Sequence, residues 1–150
     1  MPYICGMDID TVDATQKFEP GSVGRDESGS LYKYIRYSEE AAAIDAVAGE
    51  IAYYVSADTT GYTVTSDLSA SDELGAGVLK AALSEGEFGW IQVTGIATLS
   101  IALTAATDGA PYTPTGSADG TLDVSALVTD SVCAHGLDTS ANIILCAFPH

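Results

Sequence analysis

Positive charge is nearly missing from this chain: five Lys and Arg stand against 21 Asp and Glu, a net of −16 at neutral pH. A surface of that sign repels phosphate backbones instead of releasing counterions from them, so nucleic acid is excluded as a partner. Histidine is as scarce, with only His135 and His150, which thins the supply of general acids, bases and zinc ligands. The three cysteines, Cys5, Cys133 and Cys146, are widely separated and odd in number. Neither a disulfide framework nor a CxxC metal clip follows from them, and they are read as reduced, buried thiols. No run approaches the roughly 20 continuous apolar residues that span a bilayer. The N-terminal MPYICGMDID has no basic stretch leading into an apolar one, so the expectation is a protein without a membrane anchor or secretion signal.

What is present argues for a fold. Hydrophobic residues make up 47% of the chain and charged ones 17%, which is not the composition of a disordered acidic tail. A length of 150 residues suits one domain with one real core. The clearest pattern is FGWIQVTGIATLSIAL from Phe88 to Leu103. Ile91, Val93, Gly95, Ala97, Leu99, Ile101 and Leu103 alternate there with Gln92, Thr94, Thr98 and Ser100. Period two predicts one long β-strand with an apolar face and a hydroxyl-rich face.

Further strands are expected over Leu31–Tyr37, where Leu31, Lys33, Ile35 and Tyr37 alternate with Tyr32, Tyr34 and Arg36, and over 51–56 and 62–66, a hairpin joined by Asp58-Thr59-Thr60-Gly61. Segments 122–128 and 143–148 supply closing strands. Segment 75–83 is open between strand and helix, and EEAAAIDAVA at 39–48 has the alanine content of a short helix. The turn formers crowded between Asp108 and Gly120 predict a surface loop. Turns recur at intervals of roughly ten residues, the cadence of a sandwich or barrel. The chain is therefore expected to be all-β, a compact β-barrel or sandwich of about 7–9 short strands with at most one or two short helices. Residues 1–20 form an extended N-terminal arm and residues 21–150 a single β-rich domain. An arm without a core of its own is either disordered or laid on a neighbour's surface.

Candidate chemistry is thin. Asp8, Asp10 and Asp13 have the spacing of a loose cation loop, but the Gly and terminal Glu of an EF-hand are missing, and they read as a solvated acidic arm. Cys133 and His135 would share one face of a strand, so a thiol–imidazole pair is conceivable, yet no third orienting group can be named. Arg25, beside Gly24 and Asp26, and Arg36 read as ion-pair partners. Trp90, Phe88, Tyr32, Tyr34, Tyr37, Tyr53 and Tyr54 could line a sugar- or protein-binding patch, or fill core and subunit interface. The expectation is a protein without catalytic residues, cofactor or metal.

The succession GVLKAALSEGEFGWIQVTGIATL, preceded by AAAIDAVAGE and followed by ADGTLDV and ANIILCAFP, resembles the capsid decoration or cement proteins of tailed bacteriophages. The shared pattern is a glycine, an aromatic pair, a Gln-Val step and a glycine, here in GEFGWIQVTG. It runs from roughly Gly21 to Phe148 in a likeness from which the arm departs. The resemblance implies a non-enzymatic β-rich protein, often a homotrimer, made in the host bacterial cytoplasm and bound to the outer capsid surface of the virion, where it bridges major capsid protein subunits and stabilises the head. A net of −16 suits the exterior of a shell packed with DNA. The arm would be the clamp, with Tyr3, Ile4, Ile9, Val12 and Phe18 as capsid contacts and Tyr32 and Tyr34 beside them. Phe88, Trp90, Ile91 and Val93 would form core or subunit interface. The alternative is a receptor- or carbohydrate-binding head-fibre or tail module that uses the aromatic patch.

Overall fold

The computed structural model describes residues 3–5, 7–40 and 46–150, the first three through their backbone only. The protein is all-β. Twelve strands are present among the described residues: β1 Tyr3–Cys5, β2 Val23–Arg25, β3 Leu31–Tyr37, β4 Ile51–Val55, β5 Thr63–Thr65, β6 Ser71–Leu79, β7 Phe88–Gln92, β8 Thr94–Thr98, β9 Pro111–Thr113, β10 Asp123–Val124, β11 Ala134–Asp138 and β12 Ile143–Ala147. Two single-turn 3-10 segments, Leu68–Ala70 and Thr139–Ala141, complete them. The strands exceed the number expected because β1, β2, β9 and β11 are short pieces without a readable alternation. The helix expected over 39–48 falls mainly on 41–45, outside the described residues.

Five strands close into a barrel in the order β3-β5-β4-β6-β7, with β7 returning to β3. Strand β3 is the hub. One edge is taken by β7, from Tyr32↔Gln92 to Arg36↔Phe88. The other is shared, with β2 antiparallel along Leu31–Lys33 and β5 parallel at Arg36 and Tyr37. The β4–β5 hairpin forms as expected, with Tyr53 opposite Thr65 and Tyr54 opposite Val64. Its turn is held by the Asp58 carboxylate, which accepts from the backbone N–H of Thr60, Gly61 and Thr63. Segment 75–83 resolves as strand over its first half. Gly77 is required there, because a Cβ would stand 2.7 Å from the Gln92 carbonyl oxygen across the sheet.

A second sheet, β10-β9-β11-β12-β8, packs its inner face on the barrel. Ile35, Ile51, Val78 and Ile91 of the barrel and Ala97, Tyr112, Ile144 and Cys146 of the second sheet belong to one continuous core. The segment expected to be a surface loop at 108–120 therefore contains a strand. Pro111 sits at its first position, where a missing N–H is tolerated, and Tyr112 is fully buried in the core.

The long strand expected over 88–103 is two strands in two different sheets. Val93 is the joint between them. Its N–H donates to the Leu31 carbonyl of the barrel at 2.9 Å, and its carbonyl accepts from Phe148 N–H beyond β12 at 3.0 Å. The side-chain alternation survives the break, so Ile91, Val93, Ala97 and Leu99 are all buried as the pattern demands. The turn is made by Gly95 at φ +95°, and a Cβ there would overlap the Ser30 hydroxyl oxygen. Gln92 folds across the joint, its amide donating to the carbonyls of Thr94 at 3.1 Å and Ile96 at 2.9 Å. It thereby blocks the acceptors along the free edge of β8, an edge that would otherwise template further strand pairing.

Gly95→Ala is expected to lower unfolding free energy by about 3 kcal/mol, from backbone strain and overlap with Ser30 together. Urea denaturation checks this, and adding Ser30→Gly should recover the steric part and leave the conformational part.

Candidate functional site

Tyr32 and Tyr34 of β3 and Phe88 and Trp90 of β7 lie on the outside of the barrel, as the alternation requires, yet they are largely covered. Tyr32, Tyr34 and Trp90 form a buried cluster, with Met7, Ile9, Phe18 and Phe88 packed against it. Phe18 meets Tyr34 edge-on at a centroid distance of 5.3 Å and Trp90 at 5.5 Å. The arm is thus laid on the chain's own barrel. Two backbone hydrogen bonds pin it there, Asp13 N–H to Phe88 O and Phe88 N–H to Asp13 O. The Asp13 carboxylate, 2% exposed, accepts from the Tyr34 hydroxyl at 2.7 Å and pairs with the Lys17 ammonium at 2.8 Å.

The arm is expected from its sequence to be disordered or seated on a neighbour; its residues 7–18 instead pack on the chain's own barrel. Tyr32 and Tyr34 are buried, Ile9 and Phe18 are partly buried against them, and Val12 points outward, 46% exposed. The side chains of Tyr3 and Ile4 lie outside the described residues. Phe88 is partly buried in the arm cluster, and Trp90, Ile91 and Val93 are fully buried. Tyr37 and Tyr53 are buried as well, and of the residues expected to form an aromatic patch Tyr54 is the one that lines an open cavity.

The remaining candidates separate. Asp8 accepts from Asp10 N–H in a local turn while Asp13 is buried against Tyr34. Among the described residues no three His, Cys, Asp or Glu side chains converge to hold a metal ion. Cys133 and His135 do not share a face: Cys133 is 1% exposed beneath the second sheet while His135 faces outward. The regular strand begins only at Ala134, so period two cannot be extended back to Cys133. Burial pushes the thiols of Cys133 and Cys146 up, the latter to about 12, which suits packing and not nucleophilic work. Arg36 pairs with Glu85 at 3.5 Å as expected, whereas Arg25 makes no ion pair among the described residues. Asp26 instead caps the β2–β3 turn, accepting from Ser30 N–H and the Ser28 and Tyr32 hydroxyls.

The sequence reasoning missed the surface that remains open. On the outer face of the second sheet, Ile96, Leu145, His135 and Pro111 stand in register across β8, β12, β11 and β9. Ile96 is 63% and Leu145 42% exposed, and Leu137 at the β11 bulge is 44% exposed. Thr98 and Ala147 flank the row, and no carboxylate stands in it. In a chain with 21 acidic residues, this row is an exposed apolar stripe without a carboxylate of its own, with the exposed Asp138 opposite Ile143 at its edge. One signal was available. Ile96 is the apolar residue that interrupts the hydroxyl face of the period-two segment.

The molecule is thus a five-stranded barrel fused to a five-stranded sheet, with a self-covered aromatic belt and one open apolar face. No protein-family model, no curated protein and no solved structure matches the chain.

Tyr34→Phe removes the hydroxyl that donates to the buried Asp13 carboxylate and is expected to cost about 2 kcal/mol at pH 7. Burial, and then the hydrogen bond to Asp13, push the Tyr34 phenol up to about 12. A phenol that holds its proton longer in the folded state favours folding fully below the ordinary tyrosine range, and that contribution is lost as pH climbs from about 10 to 12. Denaturation series across pH 9–12 should therefore fall less steeply for Tyr34→Phe than for the parent.

Proposed function

We propose that this protein is a structural, non-enzymatic cement protein, which binds the outside of a tailed-phage capsid, bridges major capsid protein subunits and stabilises the head as an oligomer. The observation that carries the reading is the charge-free row of Ile96, Leu145, His135 and Pro111 on the second sheet. With a net charge of −16, two copies, or a copy and a shell, repel wherever carboxylates meet, so stable contact is confined to a face that carries none. The remaining acidic surface would then face solvent and hold decorated particles apart. The likeness of GEFGWIQVTG to the decoration proteins supports the same reading, and the likeness now falls on the barrel-to-sheet joint that sets the open face.

Cementing of this kind works through multivalency. Each copy contributes a modest interface, and an oligomer that engages several capsid subunits gains avidity from effective concentration, because all contacts must be released together before the shell can open. Seating on the assembled lattice alone also stabilises that lattice by mass action. The arm contributes in a different way from a free clamp. It covers the outer aromatic face of the barrel and leaves Val12 exposed, with Asp13 buried beneath it.

Purified protein is expected to cosediment saturably with heads stripped of it, and to run as a trimer by light scattering. Ile96→Glu with Leu145→Glu places two carboxylates in the open row at positions that are already exposed, so the fold should be kept and head binding lost by at least about tenfold, roughly 1.4 kcal/mol. Undiminished binding by that variant would remove the second-sheet face from the interface, and a monomer that ignores the shell would favour the receptor-binding alternative.

A further inference from the structure

Lys33 belongs to the inward-facing set of β3, between Leu31 and Ile35, and is 7% exposed. Its ammonium donates to the Tyr54 hydroxyl at 3.0 Å and to the Gly61 carbonyl at 2.8 Å, and lies 5.0 Å from the centre of the Tyr54 ring. Every one of these partners is neutral. No carboxylate oxygen among the described residues comes within 4.0 Å of it, in a chain where acids outnumber cations 21 to 5. An ammonium has three donors and two are engaged, so one N–H is left without a hydrogen-bond acceptor among the described residues, and no carboxylate is in direct contact with the charge.

The unanswered N–H has space beside it. Lys33 lines a cavity of about 390 Å³ together with Tyr54, Val55, Asp72, Leu74 and His150. A second recess, on the side of Pro20 and Tyr62, also reaches Lys33 and Gly61. The walls of the first are apolar at the Tyr54 ring, Val55 and Leu74, with Lys33, Asp58 and Asp72 among the polar groups that also line it. An apolar cavity with a few convergent polar groups is the usual form of a small-ligand site. Burying an uncompensated cation is costly, and structures tolerate it where a counter-charge arrives to complete it.

We propose that this cavity binds a single carboxylate carried on a short apolar chain, with the Lys33 ammonium as its counter-ion and the Tyr54 hydroxyl holding the ammonium in place. Asp58 and Asp72 line the same cavity. Asp58 is engaged by its own turn, where burial is outweighed by hydrogen bonds from Thr60, Thr63 and Gly61 that hold its carboxyl below the usual range. It therefore stays anionic, and with Asp72 it disfavours a second negative charge on the ligand. The site selects monocarboxylates over dicarboxylates and inorganic dianions. The carboxylate belongs either to a free acid or to a glutamate side chain of a bound protein. The proposal stands apart from the capsid reading, since it uses the opposite structural unit and none of the open row.

Titrating the intact protein with valerate, and separately with N-acetyl-glutamate amide, while following the Lys33 side-chain resonances by NMR and the unfolding temperature, tests it. Saturable shifts at Lys33 with a Kd on the order of 1 mM, together with thermal stabilisation, are expected for at least one of them, and the tighter of the two identifies the source. Glutarate and sulfate should bind at least about fivefold more weakly. Lys33→Met, which keeps the volume and removes the charge, should abolish the response, and Tyr54→Phe should weaken it a few-fold. Should Lys33→Met not fold, the parent's Lys33 shifts decide the matter alone. Silence from both acids overturns the proposal, as does an equal response to neutral valeramide or to sodium chloride at matched ionic strength.

Discussion

Strand β3 is bonded along both edges and buried on both faces, and the rest of the molecule is arranged around that double demand. On its inner face Leu31, Ile35 and Tyr37 enter the barrel core, while on its outer face Tyr32 and Tyr34 would stand in water if nothing covered them. Closing the barrel through β7 brings Trp90 next to Tyr34, with ring centroids 5.1 Å apart, and so enlarges the apolar area outside the barrel. Barrel closure and arm docking are therefore linked. The pairing that removes the sheet edges also creates an aromatic belt, and residues 7–18 bury it. The Asp13 latch between Tyr34 and Lys17 fixes the arm with a buried carboxylate, whose two oxygens are answered by a hydroxyl and an ammonium. Such a group tolerates little displacement, because either partner's loss leaves a charge in the interior.

The second architectural decision is made at Val93. A chain that continued straight from β7 would extend the barrel sheet. By giving its N–H to Leu31 and its carbonyl to Phe148, Val93 instead hands the strand from one sheet to the other without an unpaired polar group, and Gly95 supplies the backbone angle that the turn needs. The inner faces of the two sheets then share one core. The cost is that the outer face of the second sheet, with Ile96 and Leu145, has nothing packed over it. That row and the acidic character of the rest of the surface give the molecule two unlike sides.

Much of this was legible in the residues. Period two in Phe88–Leu103 and Leu31–Tyr37 fixed the strands and which side chains go inward, the Asp58–Gly61 turn fixed a hairpin, and the scarcity of Lys, Arg and His set the charge character, because each is a local property of neighbouring residues. Local alternation is silent about where a strand changes sheet, so one long strand was read where two exist, and β9 was read as loop because its three residues sit among turn formers. The open apolar row is illegible for the same reason: Ile96, Leu145, His135 and Pro111 are distant in sequence and meet only through strand register.

By itself, then, the sequence determined an all-β, strongly acidic chain and the inward or outward sense of its longest strands, since side-chain direction in a strand follows from the pleat alone. Only the tertiary structure decided that the arm covers its own barrel, that Lys33 is enclosed with no carboxylate in direct contact among the described residues, and that the apolar row of Ile96 and Leu145 stays open. These outcomes depend on which edges pair and which faces stack, and the free energy that chooses among them comes from contacts between residues tens of positions apart.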